Sequence, residues 1–522
     1  MSKEVEQVSR EGIVVEKPYE RLTGEQVETI HRASLEILRD PGLVCFNGRA
    51  ADLFAAAGAD VSSADKSSPP HWIVRIPERL VSEGIEKAPK TVTLGARNPD
   101  NALVMKGDEP RVYFITGSET NIWLDTHFQT YGKKTDPTVE IEVPEFIPRR
   151  GTIADLCMSA HLSEHLDTLD GFIRNVNIQD RDITEKNKDV NKFFASLNNT
   201  TKHVQAGLTS LSQLDPVVKM AEIIAGGRDA LKRNPIVSLI CCLIKSPLQF
   251  VDDTTEAFIE ICLRGIPVVV SSAPQAGSTA PIKEAGILAQ INAEVLAGIT
   301  LGQIVNEGTP VLYGTVPTKT RIDTLSDSYG AVETSQYTID CTQLARFYGI
   351  PNYSTSGVSD AKVPGQQSSI ERLFSNITVA MSGPQFLHCA YGLLDCNSVF
   401  SPLQAVLDDA HFTMIKHFLR TPGIEDGEIN DILTQIRKVM STPQKLYISY
   451  IRKVMRSGLL SPLYPFEGNR ERDRVFELAF ENMKALLAKP VEPVDREKTR
   501  RIFDEIPGLL PRLNIYEEGR RS

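Results

Sequence analysis

Short apolar runs return along the middle of the chain, each followed by a small or polar loop and then by residues at helical spacing. They read YFITG (113–117), LDGFI (169–173), HVQAG (203–207), VSLICC (237–242), VVVSS (268–272), VLYGT (311–315), NYSTS (352–356) and FLHCAY (386–391). Near-continuous apolarity over so few residues marks strands buried on both faces. The gaps between them hold a helix and two connections, which is what parallel pairing requires. Eight such units predict an α/β fold, a (β/α)8 TIM barrel over residues 111–400. The alternative is an open doubly wound sheet, but no Gly-x-Gly-x-x-Gly follows any of these strands.

The flanks read differently. From Glu20 to Arg39, Val27, Ile30, Leu35 and Leu38 share one helical face, and Thr23 with Gln26 stand in the order of a capping box. Residues 1–110 are expected to form an N-terminal helical and mixed extension packed on the barrel. Residues 401–522 are expected to be flanking helices that carry homo-oligomer contacts. IRKVM occurs at 436–440 and again at 451–455, a short match between neighbouring basic amphipathic helices rather than a repeat unit.

Composition removes several functions. A net charge of −10 and a pI near 5.6, with Lys and Arg scattered, give no footprint for nucleic acid. The eight cysteines form no CxxC and sit mostly in apolar stretches, which implies a reducing cytoplasm without disulfides. The charged first twenty residues lack the apolar core of a signal peptide. The apolar runs fall short of the ~20 residues that span a bilayer, so neither export nor a membrane is expected.

In a barrel the chemistry belongs at the C-terminal ends of the strands. Those ends offer Arg174 with Asn175, Lys245, Arg321, the run Ser356 to Asp360, and His388. The chain has no HxH, HExxH or Cys–His cluster at metal spacing and no GxSxG elbow, so neither a protein-held metal nor a serine hydrolase is expected. Aromatic rings such as Tyr113, Phe114 and Tyr353 together with Arg321 suit a zwitterion: rings for a quaternary ammonium, a guanidinium for a carboxylate. Each has a plainer reading. The rings can be core, Arg321 can pair with Asp323 or Asp327, His388 can be a core histidine, and Asp360 with Lys362 can be an ordinary loop ion pair.

The runs RIPERLVSEGIEKAPKTVTLGARNPDNALVM, RVYFITG, HVQAG, YGTVPTKTRID, YSTSGVSDAKVPGQQ and FLHCAYGLLD closely resemble the trimethylamine methyltransferase family. The resemblance implies a barrel enzyme that passes an N-methyl group to the Co(I) of a corrinoid. That cobalamin-type cofactor is carried by a small partner protein and is not bound permanently by this chain. Some members of the family hold a pyrrolysine after the Asp-x-Lys loop. Here that stretch is QQSSIERL, with Ser369 or Ile370 near the corresponding position, and only standard residues. The implied substrate is therefore a quaternary amine such as glycine betaine, proline betaine, carnitine or choline, whose departing amine is neutral and needs no proton. On this reading Tyr113, Phe114 and Tyr353 cage the ammonium, and Arg321 clamps a carboxylate. Asn199 is a further substrate contact, and His388 and Asp360 are the catalytic candidates. Ser356, Lys362 and Gln366 line the mouth where the corrinoid enters. The segment VLDDAHFTMIKHFLRT departs from the family by lacking a glycine run. Two alternatives remain: a barrel enzyme using Lys245 as a Schiff-base lysine, and a betaine-binding protein without catalysis.

Overall fold

The computed structural model describes residues 12–64, 69–133, 136–448, 450–451, 460–468 and 473–517. All eight apolar runs form strands: β1 Arg111–Phe114, β2 Gly171–Ile173, β3 His203–Ala206, β4 Val237–Cys241, β5 Val268–Ser272, β6 Val311–Thr315, β7 Asn352–Thr355 and β8 Phe386–His388. They pair in parallel in the order β1-β8-β7-β6-β5-β4-β3-β2, and Ile13–Val14 adds an antiparallel ninth member beside β1. The sheet curls. Ile13 and Val14 take the lower part of β1, while above them Ile115 bridges in parallel to Gly171 and the Asp170 N–H donates to the Phe114 carbonyl at 2.8 Å.

Alternation along each strand sorts side chains between the two faces of the sheet. Tyr113, Ile115, Ile173, Val269, Leu312, Tyr353 and Phe386 form a concave-face cluster with Val92, Leu94, Leu103 and Met105. The last four come from the hairpin Thr91–Leu94/Leu103–Lys106, which closes the end where the strands begin. Phe114, Phe172, Val204, Leu239, Val270 and Leu387 face outward into a larger core shared with the helices.

Helix α1, Gly24–Arg39, has the expected capping box, with Thr23 Oγ1 accepting from the Gln26 N–H and Gln26 Oε1 from the Thr23 N–H. Its buried residues include Val27, Ile30, Leu35 and Leu38. Helix α2, Glu284–Val305, is long and apolar enough to cross a bilayer, which the short-run reading of the sequence overlooked; 89% of its apolar window is buried inside the protein. Helices α3 (Val332–Tyr348), α4 (Gln366–Ala380) and α5 (Pro402–Phe418) follow β6, β7 and β8 in turn, and α6 (Asp426–Met440) comes next. Ile436–Met440 ends α6, while most of the second IRKVM lies outside the described residues. One element has no counterpart in the expectations, a long antiparallel ribbon of Ile122–Lys133 and Asp136–Arg150 inserted after β1.

Candidate functional site

The loop after β7 is built as a latch. The Asp360 carboxylate accepts from Ser328 Oγ at 2.6 Å, from the N–H groups of Tyr329 and Gly330 at 2.9 and 3.1 Å, and from Cys396 Sγ at 3.4 Å. Ser359 Oγ and the Asp360 N–H both donate to Glu371 Oε2, and Ser356 Oγ donates to Asn376 Oδ1. Three segments (328–330, 356–361 and 395–396) are thus tied together, which assigns Asp360 and Ser356 to holding the rim. No ion pair joins Asp360 to Lys362 among the described residues. Lys362 and Gln366 are exposed on that rim.

Near the C-terminal strand ends Cys242, Arg174, Tyr353, Tyr329 and His388 gather within one another's electrostatic or ring-contact range, a set termed the recess. Cys242, just past β4, is solvent-exposed, yet burial raises its thiol pKa and it is hydrogen-bonded to Ser271 of β5. A group that water reaches while protein surrounds it lines a concavity. The Arg174 guanidinium, past β2, leans over Gly207, 3.6 Å from where a Cβ would stand, and its field reaches Cys242 and Tyr353. Tyr329 is half-buried, and its hydroxyl pKa is raised by burial first and then by Asp327, Cys389, Cys396 and Cys242. Burial pushes the Cys389 and Cys396 thiols up to about 12 as well, so none of these sulfurs is a thiolate at neutral pH.

His388 stands at the floor. It is 3% exposed, its ring meets Tyr353 edge-on at 4.0 Å, and burial pushes its pKa down to about 3. Among the described residues neither ring nitrogen has a hydrogen-bond partner, and Arg174 Nε is buried without one too. Buried polar atoms are rarely left so. Arg174 is otherwise held by Glu119, which brings one carboxylate and one guanidinium to the same wall. Among the described residues no cluster of His, Cys, Asp or Glu is placed to hold a metal ion.

Several residues chosen from the sequence fall elsewhere. Phe114 points to the outer face, 4.4 Å from the Phe412 ring and under Lys416 of α5, because adjacent strand residues face opposite ways. Tyr113 is on the concave face, but its hydroxyl is bonded to the Val104 backbone at the hairpin-closed end. Asn199 ends a helix and donates to the Tyr516 carbonyl, pinning the C-terminal segment. Arg321 is exposed and paired with Asp323 at 2.8 Å. Ser369 caps back onto the Gly365 carbonyl and Ile370 is 61% exposed on α4. Lys245 is also exposed, in a two-residue strand outside the main sheet. The buried lysine nearby is Lys192, pushed down to about 8 by burial and Arg174, but Asp189 and the Gly207 carbonyl engage it at 2.7 Å each. A Schiff-base role for Lys245 loses the burial it needs.

Tyr353 and His388 are the two selected side chains brought together in the recess. Glu119, Cys242 and Tyr329 were missed. Arg174 stood among the strand-end residues and was passed over.

A family model described as Trimethylamine methyltransferase (MTTB) matches residues 2–442. The chain belongs to the trimethylamine methyltransferase family. It is 32% identical over 392 residues to "Trimethylamine methyltransferase MttB" of Desulfitobacterium hafniense (strain DSM 10664 / DCB-2), covering 75% of this chain and 73% of that one. It is 28% identical over 429 residues to "Glycine betaine methyltransferase" of Desulfitobacterium hafniense (strain Y51), covering 80% and 81%. With "Trimethylamine methyltransferase MttB" of Methanosarcina barkeri it shares 29% identity over 428 residues, 80% of this chain and 79% of the other. Family relatives thus carry names with two kinds of methyl donor, a tertiary and a quaternary amine.

Proposed function

We propose that this family member is a methyltransferase that takes an N-methyl group from a carboxylated quaternary amine bound in the recess and delivers it to the corrinoid of a small partner protein. The observation that carries this reading is the set of buried atoms without partners among the described residues, Arg174 Nε and both nitrogens of His388. A betaine's carboxylate supplies an acceptor for Arg174 and His388, and its cationic head suits an aromatic ring and a carboxylate, which Tyr329 and Glu119 offer. The run QQSSIERL, free of non-standard residues, favours a donor that is already cationic and so releases a neutral amine.

The partner protein's corrinoid would supply the nucleophile as the methyl acceptor. The chain's own work is to bind, orient and keep water out. His388, neutral with its pKa near 3, serves as a hydrogen-bonding group and transfers no proton at neutral pH. The Asp360 latch, with Lys362 and Gln366 on it, is the docking rim for the partner, and Ser356 supports it from beneath. The same reading takes the curled sheet as a closed (β/α)8 barrel over 111–400, supported by the Ile115–Gly171 bridge, with the residues on either side as its flanking extensions.

Purified protein mixed with Co(I) cobalamin, then with a corrinoid protein, is to be offered glycine betaine, proline betaine, carnitine, choline and trimethylamine while methyl-Co(III) is followed spectroscopically. A carboxylated quaternary amine is expected to give the signal. A signal from trimethylamine alone overturns the reading, and silence with bound betaine makes the chain a binding protein. Arg174→Ala is expected to weaken carboxylated amines relative to choline by roughly 1.5–3 kcal/mol, the worth of a hydrogen bond to a charged group. Equal loss for both returns Arg174 to a scaffold role with Glu119.

A further inference from the structure

Helix α6 leaves its apolar side in water. Ile429, Ile432, Leu433, Ile436 and Met440 are 38–56% exposed. Their spacing puts all five on one narrow stripe of the helix. Val439, 3% exposed, lies to one side of the stripe. Single exposed apolar residues need no explanation, but a continuous stripe along a whole helix marks an interaction surface.

The charges say what covers it. Acidic residues Asp426, Glu428 and Asp431 occupy the first half of α6, and Arg437 and Lys438 the second. Asp426 and Arg437 are about three helical turns apart, so they flank the stripe on the same side. Both are exposed, and neither takes part in an ion pair among the described residues.

We propose that α6 pairs with α6 of a second copy of this chain, antiparallel, about a twofold axis passing between Ile432 and Leu433. Ile429 then packs on the second copy's Ile436, and Ile432 on its Leu433. A twofold of this kind sets each flank against the same flank of the other copy. Asp426 therefore meets the second copy's Arg437, and the reverse pair forms by symmetry. A parallel twofold pairing would set this flank against the opposite flank of the second copy, acidic half beside acidic half, so Asp426 and Arg437 would not meet. The acidic-to-basic run along α6 makes it complementary to itself in one direction only.

Sedimentation velocity on the full chain, with circular dichroism to check folding, tests this. Wild type is expected at twice the 57.7 kDa chain mass, and Ile432→Glu with Leu433→Glu at the single mass with unchanged dichroism. Asp426→Arg alone and Arg437→Asp alone are each expected to raise the dimer dissociation constant about three- to ten-fold at low salt, and the double exchange to restore it. A wild type at single mass overturns the proposal and leaves the stripe to this chain's own following segment. A dimer indifferent to the two glutamates overturns it too, and a double exchange weaker than either single one excludes the antiparallel register.

Discussion

Two buried histidines on the concave face of one sheet end up in opposite situations. His203 opens β3 at the hairpin-closed end, where Nδ1 lies 2.6 Å from the Gly95 carbonyl and Nε2 2.7 Å from Ser238 Oγ. A carbonyl only accepts, so Nδ1 carries the proton and Nε2 accepts from the serine. His388 closes β8 at the other end, with no partner on either nitrogen among the described residues. Burial drives both below the ordinary range, to about 4 and about 3. Both rings are therefore neutral, but only one is finished by its own protein. The closed end is satisfied from within, and the open end keeps unused hydrogen-bonding capacity.

The largest expected effect breaks the open end from behind. Arg372 of α4, fully buried, is paired with the equally buried Asp408 of α5 and donates to the Leu393 and Ala390 carbonyls of the loop that follows β8. Arg372→Ala strands Asp408 in the core and is expected to cost about 3–5 kcal/mol in denaturant unfolding, with recess binding lost as well.

Next comes a pH effect at the closed end. His203 has a folded pKa of about 4 against an ordinary 6.5, so below pH 6.5 the unfolded chain binds a proton that the folded one refuses. Its contribution is intact above pH 6.5 and is lost as pH falls toward 4, by roughly 3 kcal/mol in all. Unfolding curves of wild type and His203→Leu are expected to converge across that window. At neutral pH the variant is expected to be less stable by about 1–3 kcal/mol, because Ser238 and the Gly95 carbonyl lose their partner.

His388→Leu sharpens the contrast. Removing a polar group that no protein atom satisfies is expected to leave stability unchanged or raised while ligand binding falls, read by thermal melts beside calorimetry. The smallest effect belongs to Arg321. Exposed and paired with Asp323, it is expected to give no measurable change in melting or in betaine affinity when replaced by Ala.

The strands are legible because burial on both faces writes itself into consecutive residues, as in VVVSS and VLYGT, each a strand from first letter to last. The recess is less legible because it depends on direction and distance. Tyr113 and Phe114 could not both face inward, which alternation alone would have told. Arg321 stands six residues past β6, but Thr318–Thr320 and Asp327–Ser328 form a further small sheet there and carry it out to solvent. Asn199 contacts a residue 317 positions away, which no local pattern encodes. Tyr329 lies in SDSYGAV, a polar stretch with no period to mark it.

The Asp360 latch has a mechanical consequence. Because one carboxylate fastens residues 328–330 and Cys396 to its own loop, the rim cannot yield in one place without dragging the others. Tyr329, whose N–H is held by that carboxylate and whose ring enters the recess, is the lever between them. A load placed on the outer surface near Lys362 is therefore passed inward to Tyr329, so the rim and the loops behind it yield as one piece.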